Sequence, residues 1–430
     1  MASRAVHVGI IGLGKVGGGA LRVLRENAAK IAMTAGGPIR VARAADIDWS
    51  RPRSVRVPQR MRTTDARDII RDPTIQIVVE TIGGVRPARA LVMAALRAGK
   101  NVVTSNKELI AKHGGPILEE AARRGLDVMF EGAVGGGIPI VRPLKVCLAA
   151  NRIHRIMGIV NGTTNYILSK MAGEQRDFDD VLAEAQALGY AEPDPRSDVE
   201  GYDAAYKLAI LASIAFNSRV RLGDIYREGI RRIRAVDMEY ARDLGYVIKL
   251  LAIGADTPGG LELRVHPVML PEAHPLAAVS DAFNAIFVEA GAAEQVMFFG
   301  RGAGAGPTGS AVAGDVIDIA RNIRHGATGR VPCTCFDNKP AKPMGEVEAK
   351  YYLRMQVADR PGVLAQIAAV FGREKVSLAS VVQKASRGDR AEIVWITHAA
   401  REARVRRSLQ RIARLAAVHR VSSRIRVHEV

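Results

Sequence analysis

Aromatic side chains are scarce in this chain: Phe, Trp and Tyr together make up 5% of its 430 residues. Base stacking needs such side chains, so a single-stranded nucleic-acid binder is a poor fit even at a net charge of +18. Lysine is scarce too. Of 62 basic residues only 14 are Lys, and the 48 Arg are spread through every region. Their densest cluster, residues 401–426, has the helical and strand spacing of solvated faces rather than of a nucleic-acid stripe. Cysteine occurs three times (Cys147, Cys333 and Cys335), which makes no disulfide framework, and a Cys-x-Cys alone lacks the further ligands of a zinc site. Long hydrophobic runs are absent as well. The nearly apolar stretch 208–216 is far below the roughly 20 residues that span a bilayer. The apolar start of the chain is interrupted by Gly12, Gly14 and Gly17, and reads as a strand rather than a signal peptide. The expectation is a cytoplasmic, soluble protein that binds neither nucleic acid nor membrane.

What is present is enough to build packed cores: 48% hydrophobic and 25% charged residues, in a length that suits two to three domains. Strands predicted at 6–11, 41–46, 76–81, 101–104 and 127–131 alternate with helices at 16–27, 87–98 and 117–124. Such alternation specifies an α/β domain with a parallel sheet, here over residues 1–150. Beyond it, strands at 153–160 and 261–268 mix with helices at 179–188 and 201–216, which reads as an α+β domain over 151–304. Residues 330–348 are Pro-rich and aperiodic, a predicted linker. The remainder, 349–430, has the pattern βαββαβ, a small ferredoxin-like domain.

Gly12-Leu13-Gly14-Lys15-Val16-Gly17 follows the first strand and opens the first helix. Glycines at these three places permit a tight turn, close approach of a pyrophosphate, and helix–strand packing, as in Rossmann-type domains. The helix start then offers free N–H groups to the phosphates. Asp46, after the second strand, suits a ribose hydroxyl and NAD; Arg43, Arg51 or Arg53 suits the 2′-phosphate of NADP. Lys107 follows a parallel strand at its carboxyl end, either as a ligand-facing residue or as a surface strand cap. Glu131-Gly-Ala-Val134-Gly-Gly136-Gly-Ile138 reads either as a left-handed turn or as carbonyls and one carboxylate around a hard cation. A second glycine-rich loop, residues 300–308, opens another helix, as a cofactor contact or as a hinge.

The segment from Gly189 to Lys207 is the most informative. Glu192, Asp194, Asp198, Glu200 and Asp203 lead into a helix that is apolar on nearly all faces and therefore buried. Asp203 and Lys207 are four apart and share one face. On a surface helix such a pair is a routine stabiliser, whereas in the interior it calls for a reason, and desolvation there tunes a lysine toward proton transfer.

The segments GLGKVG, TSNKELIA, EGAVGGGIPIV, GIVNGTTNYIL, GYAEPDPRSDVEGYDAAYKLAILA and GRGAGAGPT together resemble homoserine dehydrogenase in order and spacing. The last domain, with Asp359-Arg-Pro-Gly362-Val-Leu-Ala365, resembles an amino-acid-binding ACT domain. The resemblance implies interconversion of L-homoserine and NAD(P)+ with L-aspartate 4-semialdehyde and NAD(P)H, on the route to threonine, methionine and isoleucine. It implies that Lys207 is the general acid/base, with Asp203 tuning it and Lys107 beside the reacting oxygen. Glu192 and Asp198, with Lys107 and Lys207, become the substrate side. The cofactor set becomes Gly12, Leu13, Gly14, Lys15, Val16, Gly17, Asp46, Thr81, Lys107, Gly189 and Gly304. Glu131, Val134, Gly136 and Ile138 match a monovalent-cation site for Na+ or K+. The resemblance also implies that residues 305–328 pack back on the nucleotide domain, that residues 151–304 carry dimerisation, and that a homodimer or homotetramer forms. Threonine becomes the expected allosteric ligand of the ACT domain. Ala45-Asp46 stands where the family often has Arg-Asp, so NAD is expected to serve at least as well as NADP. Two rivals differ in chemistry. An acyl-forming semialdehyde dehydrogenase needs a nucleophilic thiol, and Cys147 sits in an apolar, strand-like run. A non-enzymatic amino-acid sensor has no use for Lys207.

Overall fold

Six strands, β1 (Val6–Ile11), β2 (Ile39–Ala45), β3 (Arg62–Thr63), β4 (Ile77–Glu80), β5 (Asn101–Thr104) and β6 (Val128–Met129), form a parallel sheet in the order β3-β2-β1-β4-β5-β6. The computed structural model describes residues 4–429, apart from the side chain of Arg387. β1 and β4 are apolar runs buried on both faces, as the middle of a parallel sheet requires. The strand order reverses between β1 and β4, and their carboxyl ends mark the place where open α/β sheets bind ligands. The helices Lys15–Glu26 and Ala305–Arg324 share one core with this sheet, through Val8, Ile10, Leu21, Leu24, Val312, Val316 and Ile319. Their approach is close enough that a Cβ on Gly19 would lie 1.9 Å from the Ala305 carbonyl oxygen. A helix from late in the chain thus completes the nucleotide domain.

The chain divides into two compact units. The first holds the chain up to Ile156, with Tyr206–Asp224 and Phe283–Asn338; the second holds Met157–Ala205, Ile225–Ala282 and the chain from Lys339 on. The later strands are β7 (Ile153–Ile159), β8 (Tyr226–Arg227), β9 (Tyr246–Thr257), β10 (Gly260–Pro271), β11 (Phe283–Ala290), β12 (Gln295–Arg301), β13 (Glu348–Ala358), β14 (Leu378–Arg387), β15 (Arg390–Thr397), β16 (Ala400–Arg401) and β17 (Val418–Val427). In the first unit β11 and β12 form an antiparallel hairpin. In the second unit the strand path β9-β10-β17-β13-β15-β14 runs without a break into the terminal βαββαβ domain. β10 and β17 pair in parallel, Val268 with Arg426 and Met269 with Val427. The terminal domain packs Ile367 and Phe371 of helix Val363–Arg373 and Ile412 of helix Glu402–Ile412 against Tyr351, Leu353, Met355 and Trp395.

Several local expectations are corrected. The helix predicted at 117–124 begins at Lys107 and runs to Arg123. Gly114, Gly115 and Pro116 are poor helix formers inside it, but Asn106 caps the true start by accepting from Leu109 N at 3.0 Å, and buried Ile110, Ile117 and Ala121 hold the helix in place. The strand predicted at 127–131 shrinks to β6, followed by a helical turn at Glu131–Ala133. β9 was not predicted at all: its near-continuous apolar run lacks alternation, so no strand period shows in the sequence. Cys147 lies in a π-helical turn, Pro143–Cys147, and is exposed rather than set in a strand. The later part of the stretch read as a linker, from Lys339 on, is fastened down in the second unit. Lys339 pairs with Asp256 at 3.0 Å, Lys342 with Glu262 at 2.9 Å, and Leu261 N donates to the Pro340 carbonyl at 2.8 Å. Among the described residues no helix is long and apolar enough to cross a membrane.

Candidate active site

Gly12 turns the chain at φ +93°, a conformation L side chains resist, and its carbonyl accepts from Thr81 Oγ1 at 2.7 Å. A Cβ on Gly17 would meet that same carbonyl oxygen at 2.0 Å, whereas one on Gly14 would touch nothing within 4 Å. The first glycine therefore shapes the turn, the third packs it, and the second leaves open space over the loop. Helix Lys15–Glu26 begins at Gly14 with no side-chain cap and no acidic residue in its first turn, so its leading N–H groups and positive dipole end remain available to an anion. Asp46 accepts from Leu13 N at 3.0 Å and pairs with Arg53 at 3.2 Å. Arg53 lies 4.5 Å above the Trp49 ring. Of the three arginines the sequence left open, Arg43 faces Asp68 at 3.9 Å and Arg51 faces Asp48 at 2.9 Å, so Arg53 is the one that reaches Asp46.

At the end of β4, Glu80 is fully buried, accepting from Thr104 Oγ1 at 2.6 Å and Ile82 N at 2.7 Å. The sequence reading did not single it out. A carboxylate ending an otherwise apolar strand was the available signal. Thr104 ends β5, and Lys107 follows three residues later as the first, half-buried residue of its helix.

The two glycine-rich loops meet. Gly137 N donates to the Arg301 carbonyl at 3.0 Å, and a Cβ on Gly136 would fall 2.5 Å from the carbonyl of Gly302. Glu131 organises the first loop: its carboxylate accepts from the backbone N–H groups of Ile140, Val141 and Arg142 at 2.6, 2.8 and 2.8 Å. Among the described residues the carbonyls of Val134, Gly136 and Ile138 receive no hydrogen bond, so they keep lone pairs for a cation. Behind them Asp315 accepts from Glu131 N at 2.9 Å, and burial, with the Glu131 charge beside it, pushes its carboxyl up to about 8. Asp315 went unnoticed in the sequence because it is one polar position on an otherwise ordinary amphipathic helix. Gly304, at φ +128°, precedes that helix.

In the second unit Asn161 caps helix Gly162–Glu174 and gathers two carboxylates. Its Oδ1 accepts from Thr164 N at 2.9 Å, while its Nδ2 donates to Asp198 Oδ1 at 2.6 Å and to Asp203 Oδ2 at 2.8 Å. Nothing in the segment GIVNGTTNYIL marks this asparagine locally, because its partners are 37 and 42 residues away. Asp203 and Lys207 share helix Tyr202–Ala215 and are 3% and 7% exposed, so both ionisable residues of this apolar helix are buried. The side chain of Glu192 is exposed, and its carbonyl accepts from Gln186 Nε2 at 3.1 Å. Gly189 turns at φ +73° after helix Phe178–Ala187.

A family model described as homoserine dehydrogenase matches residues 139–317, and its NAD-binding domain matches residues 12–131. A third, the ACT domain, matches residues 351–417. The homoserine dehydrogenase of Corynebacterium glutamicum is 46% identical over 98% of this chain and 96% of its own length. That of Synechocystis is 45% identical, over 98% and 99%. The chain belongs to the homoserine dehydrogenase family. Among solved structures, a homoserine dehydrogenase from Thiobacillus denitrificans superposes with a TM-score of 0.95 at 44% identity, covering 100% of this chain and 99% of that one. A hyperthermophilic archaeal homoserine dehydrogenase in complex with NADPH gives 0.63 at 26%, covering 74% of this chain and 98% of that one. Family membership makes the chain an oxidoreductase of amino-acid biosynthesis with an NAD(P)-binding domain and an ACT domain, and removes both the thiol-based and the sensor readings.

Proposed function

We propose that Lys207 is the general acid/base of homoserine oxidation. The observation that carries this is a lysine and a carboxylate buried four residues apart on a helix that otherwise presents apolar side chains. Asp203, oriented by Asn161, tunes Lys207, whose neutral amine is the form that accepts a proton. Bound NAD(P) supplies the hydride chemistry. Lys207 then takes the hydroxyl proton of L-homoserine as the C–O bond becomes a carbonyl, and returns it in the reverse direction. Lys107 stabilises charge on that oxygen. Glu192 and Asp198 hold the substrate ammonium, Asp198 with one oxygen already committed to Asn161. Replacing Asp198 with Asn tests this: KM for homoserine should rise by ten-fold or more with a smaller change in kcat, and an unchanged KM would overturn the role.

The same reading assigns Gly12 to Gly17, Asp46, Thr81, Gly189 and Gly304 to the cofactor. The carbonyls of Val134, Gly136 and Ile138, with Glu131 as the anionic member, fit Na+ or K+, and exchange of both for tetramethylammonium should lower stability or activity. In the ACT domain, Gly362 at φ +83° precedes helix Val363–Arg373 without a side-chain cap, and Asp359 accepts from Ser386 Oγ. Backbone N–H groups there suit a carboxylate and Asp359 an ammonium, which supports threonine as allosteric ligand. Calorimetry with threonine on the full chain tests it. A homodimer or homotetramer is the proposed assembly, read by light scattering.

A further inference from the structure

A cleft of about 1040 Å³ opens within the second unit between segment 228–236 and the terminal domain, at β17 and helix Glu402–Ile412. Six arginines line it against two acids, Asp177 and Glu228. Both acids are engaged: Asp177 Oδ1 accepts from Ala235 N at 2.9 Å, and Glu228 pairs with Arg424 and Arg426 at 3.2 and 3.1 Å. Arg354 and Arg424 also have carboxylate partners, at 2.9 and 3.1 Å. The other four, Arg232, Arg234, Arg406 and Arg420, have no carboxylate within reach among the described residues. In the same wall the Ser422 hydroxyl oxygen is buried with no hydrogen-bond partner.

We propose that this cleft binds a phosphate-bearing small molecule. Uncompensated guanidinium groups facing one cavity repel each other, and a polyanion relieves that repulsion. The planar fork of arginine matches phosphate oxygens, and a buried hydroxyl without a partner is satisfied by one more acceptor. The volume is that of a nucleotide-sized site rather than of a free amino acid. The Asp359–Gly362 loop is not part of its lining.

The cleft wall continues into the substrate carboxylates. Arg227 donates to the Glu200 carbonyl at 3.1 Å and lies 3.3 Å over the Tyr202 ring. Ile230 N donates to the Val199 carbonyl at 2.9 Å, and Arg231 pairs with Glu200 at 2.7 Å. Residues 199–202 are the chain between Asp198 and Asp203. A ligand that draws in Arg232 and Arg234 therefore acts on the segment that positions both carboxylates, and it changes homoserine affinity if it favours one arrangement of them. This coupling rests on the role proposed for Asp198; the binding itself does not.

The test is calorimetry of pyrophosphate into the full-length enzyme saturated with NADP, so that the phosphate loop at Gly12–Gly17 is already filled. One site per chain is expected at 0.15 M salt, with at least ten-fold weaker binding in the double variant Arg406→Gln, Arg420→Gln, and a several-fold change in KM for homoserine when the site is filled. Should the double variant fail to fold, Arg232→Gln on the opposite wall gives the same reading. No binding, or binding that neither variant weakens, overturns the proposal. So does a double variant that alters the oligomeric state, because the cleft would then be a subunit interface. Binding that weakens as expected while KM stays fixed overturns the coupling and leaves the site. If Asp198→Asn also leaves KM unchanged, the role of Asp198 has failed rather than the cleft.

Discussion

Arg354 of β13 and Asp237 of helix Ala235–Asp243 meet at 2.9 Å although 117 residues separate them, and both are buried. Asp237 also accepts from Tyr352 OH at 3.2 Å and caps Arg234 N at 3.1 Å, while Arg354 reaches Glu392 at 2.8 Å. A second set joins buried Arg426 to buried Glu402 and half-buried Glu228. The ACT domain is therefore sutured to the rest of its unit by desolvated charges as well as by the β10–β17 pairing.

The first prediction follows directly. A Pro-rich stretch at 330–348 invites truncation near Gly345. Such a truncation strips Asp237 of Arg354 and bares the edge of β10, so it should aggregate or lose cooperative unfolding. In the full chain Arg354→Ala should cost about 3–5 kcal/mol, the usual penalty for breaking a buried pair from one side. Urea denaturation reads the second. A monodisperse truncated enzyme with full homoserine turnover would refute the first.

Lys207→Ala should lower turnover by roughly 10²–10⁴, the usual worth of a positioned general acid/base, with little change in cofactor affinity. A variant that keeps more than a tenth of the wild-type rate would remove Lys207 from that role.

The Asp46–Arg53 pair should set the choice of cofactor. Asp46 repels a 2′-phosphate and accepts from a 2′-hydroxyl, while Arg53 attracts the phosphate. Arg53→Ala should reduce kcat/KM for NADP more than for NAD, and Asp46→Ser should do the reverse by releasing Arg53. With both residues present, NAD is expected to serve at least as well as NADP. Equal losses for the two cofactors in Arg53→Ala would show that Arg53 does not read the 2′ position.

Lys249, buried in β9, donates to the Val279 carbonyl at 2.6 Å, and burial draws its ammonium down to about 8. Below that pH it is charged in both folded and unfolded chains. Between about 8 and 10.5 the unfolded chain binds the proton and the folded chain does not, so this group makes stability rise with pH across that window. Unfolding free energies of wild type and Lys249→Met, measured from pH 7 to pH 10, should diverge in slope, with the variant flatter. Parallel curves would mean that Lys249 keeps its ordinary affinity for the proton.

The sequence by itself determined whatever is enforced within a few residues. Gly12 and Gly17 were legible because the turn at φ +93° and a 2.0 Å clash exclude any side chain. The buried pair Asp203–Lys207 was legible because an all-apolar helix must be interior wherever it packs. The βαββαβ order of the last domain followed from the change of period between strand and helix. Tertiary structure alone decided the partnerships. It chose Arg53 over Arg43 and Arg51, placed Asn161 between Asp198 and Asp203, put Asp315 behind Glu131, and joined β17 to β10. It also overrode local signals, starting a helix at Lys107 in spite of Gly114-Gly115-Pro116 and making a strand of the unpatterned run in β9. A dihedral restriction or a hydrophobic period is written in neighbouring residues, whereas a salt bridge between residues 117 apart acquires its energy only when folding removes both charges from water.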